Sequence, residues 1–293
     1  MPRLDRRLPH NAPGDFYVDS SCIDCDTCRW MAPATFTERD EQASVHAQPA
    51  SPAERLRAEM ALLSCPTGSI GTADRHDLGA ATAALPDEVA PGVFHCGFHA
   101  RTSFGAASYL VVRPEGNVLV DSPRWNEGLA TRIEKLGGAK WMFLTHRDDV
   151  ADHATWRERL GCQRILHERD IEGDTAGVEM VLRGDDPVEI AAGLLAIPTP
   201  GHTEGSSCLL AADGDGVLFT GDHLAWSDRL RNLYAFRDAC WFDWRVQTES
   251  MRRLLAYRFG RVLPGHGRRC AFEPDEMRRR LTECIAWMSG ARA

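Results

Sequence analysis

Between Trp141 and His153 the chain reads Trp141-Met142-Phe143-Leu144-Thr145-His146-Arg147-Asp148-Asp149-Val150-Ala151-Asp152-His153. Four apolar residues are followed at once by a polar segment holding two histidines and three aspartates. The apolar run has the length of a short buried strand. A loop leaving such a strand lies at the rim of a sheet, where chemistry-bearing side chains gather. The same order recurs downstream. Thr199-Pro200-Gly201-His202 follows the strand-like Leu194–Ile197, Thr220-Gly221-Asp222-His223 follows Gly216–Phe219, and Leu263-Pro264-Gly265-His266-Gly267 comes before the last helix. Imidazoles and carboxylates in one place are the usual donors for zinc, iron or manganese. Glycine beside the His or Asp lets the backbone bring a ligand close to an ion.

Around these loops, strand-like and helix-like segments alternate. Tyr109–Val112 and Asn117–Val120 flank Pro114-Glu115-Gly116 as a hairpin. Helices are expected at 129–136, ending at Gly137-Gly138, and at 149–160, ending at Gly161. Two more are expected at 248–257 and 274–288. The mixture predicts two sheets covered by helices.

In order and spacing the five His/Asp motifs resemble the metallo-β-lactamase superfamily over roughly Gly92 to the C-terminus. The resemblance implies an αββα sandwich with a dinuclear site at one edge. Carried over, His146, Asp148 and His202 hold the first metal, Asp152, His153 and His266 hold the second, and Asp222 bridges them. Asp152 and His223 are the candidates for the catalytic proton-handling groups. One departure stands out. The superfamily pattern His-x-His-x-Asp-His is replaced by His146-x-Asp148-x-x-x-Asp152-His153, with two residues inserted and a carboxylate in place of the second His. Asp148 and Asp152 share a face if a helix begins there. Alternatively Asp149 is the ligand, or Asp148 only caps the helix. A third carboxylate shifts the metal preference from zinc towards iron or manganese. Flavodiiron proteins of the same superfamily also carry a carboxylate at this position.

Upstream, Cys22-x-x-Cys25-x-x-Cys28 is followed at a distance by Cys65-Pro66. Three thiolates on a tight loop and one remote thiolate suit the four corners of an iron–sulfur cubane. In two-cluster proteins the run continues to a fourth Cys-Pro; here Ala32-Pro33 stands in that place, so one cluster is expected. The stretch resembles single-cluster 4Fe–4S ferredoxins. A four-thiolate zinc site is the competing reading, and a 3Fe–4S form stays open. The other six cysteines are scattered singly and read as small core residues.

The expected fold class is therefore α+β, a ferredoxin-like iron–sulfur domain followed by an αββα metallo-β-lactamase sandwich. The expected organisation is a mobile tail over 1–14, the cluster domain over 15–74, an Ala/Pro linker over 75–91 and the large domain over 92–293. With 34 basic against 42 acidic side chains, the net charge of −8 excludes a nucleic-acid footprint. No apolar stretch reaches membrane-spanning length, and the start lacks a secretory pattern, so a cytoplasmic protein is expected. The functional expectation is a hydrolase acting on a small-molecule substrate through metal-bound hydroxide. Its alternatives are a diiron oxidoreductase with the cluster as electron donor and an electron-transfer partner to refill it, and an iron–sulfur redox sensor. Trp226, Trp241 and Trp244 read equally as pocket wall or as core.

Overall fold

The computed structural model describes residues 2–290. Its centre is a pair of sheets. One has seven strands in the order Met180–Leu182, Gln163–His167, Trp141–Phe143, Val118–Val120, Tyr109–Val111, Val93–His95 and Asp87–Ala90. The other has six, in the order Val188–Ala191, Leu194–Pro198, Ser207–Ala211, Val217–Gly221, Arg261–Pro264 and Cys270–Ala271.

Successive side chains of a strand point to opposite faces, and this alternation assigns the layers. Tyr109, Val111, Val118, Val120, Trp141 and Phe143 face inward and pack with Leu194, Ala196, Leu209, Ala211 and Phe219 of the second sheet. Leu110, Leu119 and Met142 face outward against Leu129 and Ile133 of the helix Glu127–Lys135 and Trp156 of the helix His153–Leu160. On the far side, Cys208, Leu210, Leu218 and Val262 pack under the helices Trp244–Leu254 and Pro274–Met288. The result is helix, sheet, sheet, helix. Strand ends from both sheets meet along one edge, and the polar loops that follow them gather there.

Three expectations are corrected. Residues 1–14 do not hang free over their described part. Arg7 bridges Asp19, and buried Asn11 uses its side chain to bond the backbone of Leu8, Val18 and Val45. Nor are residues 75–91 a loose linker. They contain the helix Gly79–Ala83 and the edge strand Asp87–Ala90 of the large sheet. His76 is clamped between Asp15 at 2.6 Å and Glu59 at 2.9 Å. Phe16, Val18, Met31, Met60 and Ile70 of the N-terminal part share one apolar core with Leu110, Leu119 and Leu129. Continuous burial of this kind ties the two parts together. Finally, the helix expected from 149 begins only at His153. Arg147–Asp149 form a single 3₁₀ turn first, and Ala151 takes a left-handed φ of 35°.

Candidate metal centres

The edge site is assembled from the loop ends. Asp121, directly after the strand Val118–Val120, accepts from the backbone N–H of Thr145 at 2.8 Å and from its hydroxyl at 3.0 Å. With its proton committed to Asp121, the Thr145 oxygen can only accept, and it lies 2.9 Å from His146 Nδ1. His146 is thereby held as the tautomer protonated at Nδ1, leaving the Nε2 lone pair free for a metal. Gly221 makes this contact possible. Its φ is +48°, and a Cβ there would stand 2.4 Å from the Thr145 hydroxyl oxygen.

Two donor groups converge. His146, Asp148 and His202 form one, and His146, Asp149 and Asp222 form the other, with ligand atoms mutually within 4.8 Å. His202 Nε2 lies 3.3 Å from Asp148 Oδ2 and 3.7 Å from Asp222 Oδ2. His266 closes the set through Nδ1, 2.7 Å from Asp222 Oδ1. Asp170 ties the flanking loops by accepting from the N–H groups of Arg147 and Gly205 and from the Thr203 hydroxyl.

His146 Nε2, Asp149 Oδ2, His202 Nε2 and His266 Nε2 are buried and have no hydrogen-bond partner. An unsatisfied buried polar group costs about 1–3 kcal/mol, and divalent cations would satisfy all four. The donor set fits a dinuclear centre.

In the metal-free site, burial and neighbouring charges set the protonation of each group. Burial pushes Asp149 well above the usual carboxylate range, and neighbouring Asp222 adds to the shift. Burial opposes ionisation of Asp222 as well, but His266, its hydrogen bond, and His146 and His202 pull Asp222 far below that range. Burial holds His146 down to about 4, keeping it neutral and able to ligate. For His266, burial is outweighed by Asp222 and its hydrogen bond, which raise it to about 10.

Of the residues carried over by resemblance, His146, Asp148, His202, Asp222 and His266 come together. Asp152 and His153 do not join them. The Asp152 carboxylate accepts from the Trp125 N–H at 2.6 Å beside the start of the helix. His153 faces Arg164 at 3.1 Å through Nδ1 and Asp174 at 3.6 Å through Nε2. Asp149 lies with His146 and Asp222 instead. The 3₁₀ turn that follows extended His146 leaves Asp149 Oδ2 3.9 Å from His146 Nε2. Asp148 and Asp152 share no face, because the helix starts after both. His223 is buried, and its two ring nitrogens lack partners. Burial and then His202 hold it down to about 3. Asp121 was not singled out from the sequence, although an Asp directly after the apolar run Val118–Val120 follows the same grammar as the other rim residues.

The cysteine loop is shaped for its cluster by Asp24 and Asp26, at φ of 59° and 64°. The Cys22 and Cys65 sulfurs accept from the N–H groups of Ala43 at 3.4 Å and Ser69 at 3.3 Å. A tetrahedral zinc with Zn–S of about 2.3 Å needs sulfurs about 3.8 Å apart. Among the described residues no three of these thiols lie within 4.8 Å of one another.

Cys25 also lines the large cavity, about 1600 Å³, into which Asp148, Asp149, His202, Asp222 and His266 open. The loop after Val93–His95 joins the two centres. Gly105, at φ +90°, sits so close that a Cβ would be 3.1 Å from Cys25 Sγ. Phe104 beside it places its ring 6.1 Å from that of His266. Trp226 and Trp241 line the same cavity, whereas Trp244 packs on Trp287.

Residues 18–72 match the family described as the 4Fe-4S single cluster domain of Ferredoxin I. Two solved structures overlay on the rest. The DIM-1 metallo-β-lactamase exposed to ceftazidime matches with a TM-score of 0.54 at 15% identity, over 69% of this chain and 95% of its own. VMB-1 matches with 0.53 at 16% identity, over 71% and 97%. No curated protein matches the chain.

Proposed function

From a chain that joins a single-cluster 4Fe–4S domain to a metallo-β-lactamase fold, we propose a redox enzyme in which the cluster serves a dinuclear iron or manganese centre. The observation that carries this reading is the position of Cys25, a cluster ligand in the wall of the same cavity as Asp148, Asp149, His202, Asp222 and His266. His146, Asp148, His202, Asp149 and Asp222, with His266 beside them, would hold the two metals. Such ions change oxidation state by single electrons, which zinc cannot do.

The protein's own groups suit that task. Three carboxylates with three imidazoles form a harder donor set than the histidine-rich sets zinc favours. Thr145 and Asp121 fix the ring of His146 behind the site. Gly105 lets the two centres approach, since any side chain there would displace Cys25 or Pro66. Phe104, Trp226, Tyr234, Phe236 and Trp241 wall the cavity with aromatic surface. A reductant outside this chain refills the cluster.

Metal analysis of protein purified without air tests the proposal. The expected result is two iron or manganese ions per chain beyond the cluster, with a redox transition that survives loss of the cluster. Two zinc ions and no second transition would overturn it. That result would favour hydrolysis by metal-bound hydroxide, which the same donors support.

A further inference from the structure

A second group of buried polar side chains lies where the cysteine loop meets the loop of the metal site. Thr27 Oγ1 stands 3.4 Å from Cys25 Sγ, 3.1 Å from His99 Nδ1 and 3.4 Å from the Gly105 carbonyl. His99 Nδ1 is 2.6 Å from that same carbonyl, and its Nε2 is 2.8 Å from His95 Nε2. Both imidazoles are buried, against Trp30 and each other.

The direction of each hydrogen bond follows from what each atom can do. A carbonyl only accepts, so the proton of His99 sits on Nδ1. Burial holds His99 down to about 4 and His95 well below the usual imidazole range, with Arg269 among the cations opposing their charge, so both rings are neutral. His99 Nε2 is then an acceptor, and His95 Nε2 donates to it. The His99 Nδ1–H also reaches Thr27 Oγ1, so the hydroxyl oxygen accepts there and keeps its own proton to give. The Gly105 oxygen already receives His99 at shorter range. Of the two acceptors within its reach, the Gly105 oxygen and the Cys25 sulfur, each at 3.4 Å, the sulfur is the charged one once it binds iron and draws the hydroxyl proton.

We propose that Thr27 and His99 set the reduction potential of the cluster: the Thr27 hydroxyl donates to the Cys25 sulfur, and His99 holds that hydroxyl in place. Hydrogen bonds to cluster sulfurs stabilise the reduced, more negative state and raise the potential. Thr27 belongs to the cysteine loop, whereas His99 lies outside the residues 18–72 that match the ferredoxin family. The large domain thereby tunes the cluster it contacts. His99 is a positioning residue, acting through Thr27. This inference rests on the cluster alone and is independent of what the dinuclear centre does.

The test is a redox titration of the full-length, cluster-loaded protein, followed through the signal of the reduced cluster. Thr27→Val keeps the side-chain shape and removes the donor, so the potential should fall. Thr27→Ser should restore it. His99→Phe should lower it less, because the freed hydroxyl then divides itself between Cys25 and the Gly105 carbonyl. The double variant should fall no further than Thr27→Val alone. An unchanged potential in fully loaded Thr27→Val overturns the proposal, as does an additive double variant. Should valine prevent loading, Thr27→Ala is titrated instead. If neither loads while Thr27→Ser does, the hydroxyl serves cluster assembly and the proposal falls.

Discussion

Asp149→Asn and Asp152→Asn should behave in opposite ways, although only three positions separate the two residues. Asp149 is buried, and its Oδ2 has no hydrogen-bond partner. It shares a donor group with Asp222, with ligand atoms within 4.8 Å. Two like charges at that separation repel by about 3 kcal/mol at an effective dielectric near 20. In metal-free protein the repulsion is relieved by protonating Asp149, whose pKa is raised well above the ordinary value by burial first and Asp222 second. The sign follows directly. An acid with a raised folded pKa costs stability as pH climbs above its unfolded pKa of about 4, until the folded form also ionises. Asparagine removes that cost. Metal-free Asp149→Asn should therefore melt above the metal-free wild type at pH 8 by a few degrees, at about 2–4 °C per kcal/mol for a chain of this order of size. The gap should close towards pH 4. With metal the order inverts, because a ligand is lost, and elemental analysis should find about one metal fewer per chain. Asp152→Asn weakens the charge-assisted hydrogen bond from the Trp125 N–H. It should cost about 1 kcal/mol of stability and leave metal content unchanged. Full metal occupancy in Asp149→Asn, together with loss in Asp152→Asn, would refute the assignment.

Two further outcomes are expected. Gly221→Ala drives a methyl into Thr145, and overpacking of that kind costs about 1–3 kcal/mol; calorimetry should show the loss, together with weaker metal binding through the displaced His146. Asp121→Leu removes the acceptor that orients Thr145 and through it His146; metal affinity should fall by roughly 10–100-fold, the usual range for groups behind a ligand, as read by competition with a chelator.

Much of this arrangement was legible in the sequence because its signals are local. A short apolar run that leads into a loop of ligands announces both the strand and the rim, and the His146 and His202 loops show it most clearly. The Cys22-Cys25-Cys28 spacing is equally local, since a cluster must be gripped by a loop of fixed reach. What spacing could not decide is rotation. Whether Asp149 or Asp152 and His153 face the metals depends on whether Arg147–Asp149 wind as a 3₁₀ turn before the helix, and on the left-handed Ala151 that follows. A few tens of degrees in φ and ψ there exchange one carboxylate for another.

The tail and linker escaped for another reason. Asn11, Leu8 and His76 are ordered by partners far along the chain or in other elements, which composition does not register. The residue types thus determined on their own that the chain holds a cysteine cluster suited to a metal centre and a rim of imidazoles and carboxylates, because most of each donor set lies within short motifs. Only the tertiary structure decided that Cys25 opens into the cavity of the second centre, and that His99 reaches back to Thr27. Those proximities come from one apolar core shared by residues as distant as Phe16 and Leu129, and burial of that kind depends on the whole chain rather than on any motif.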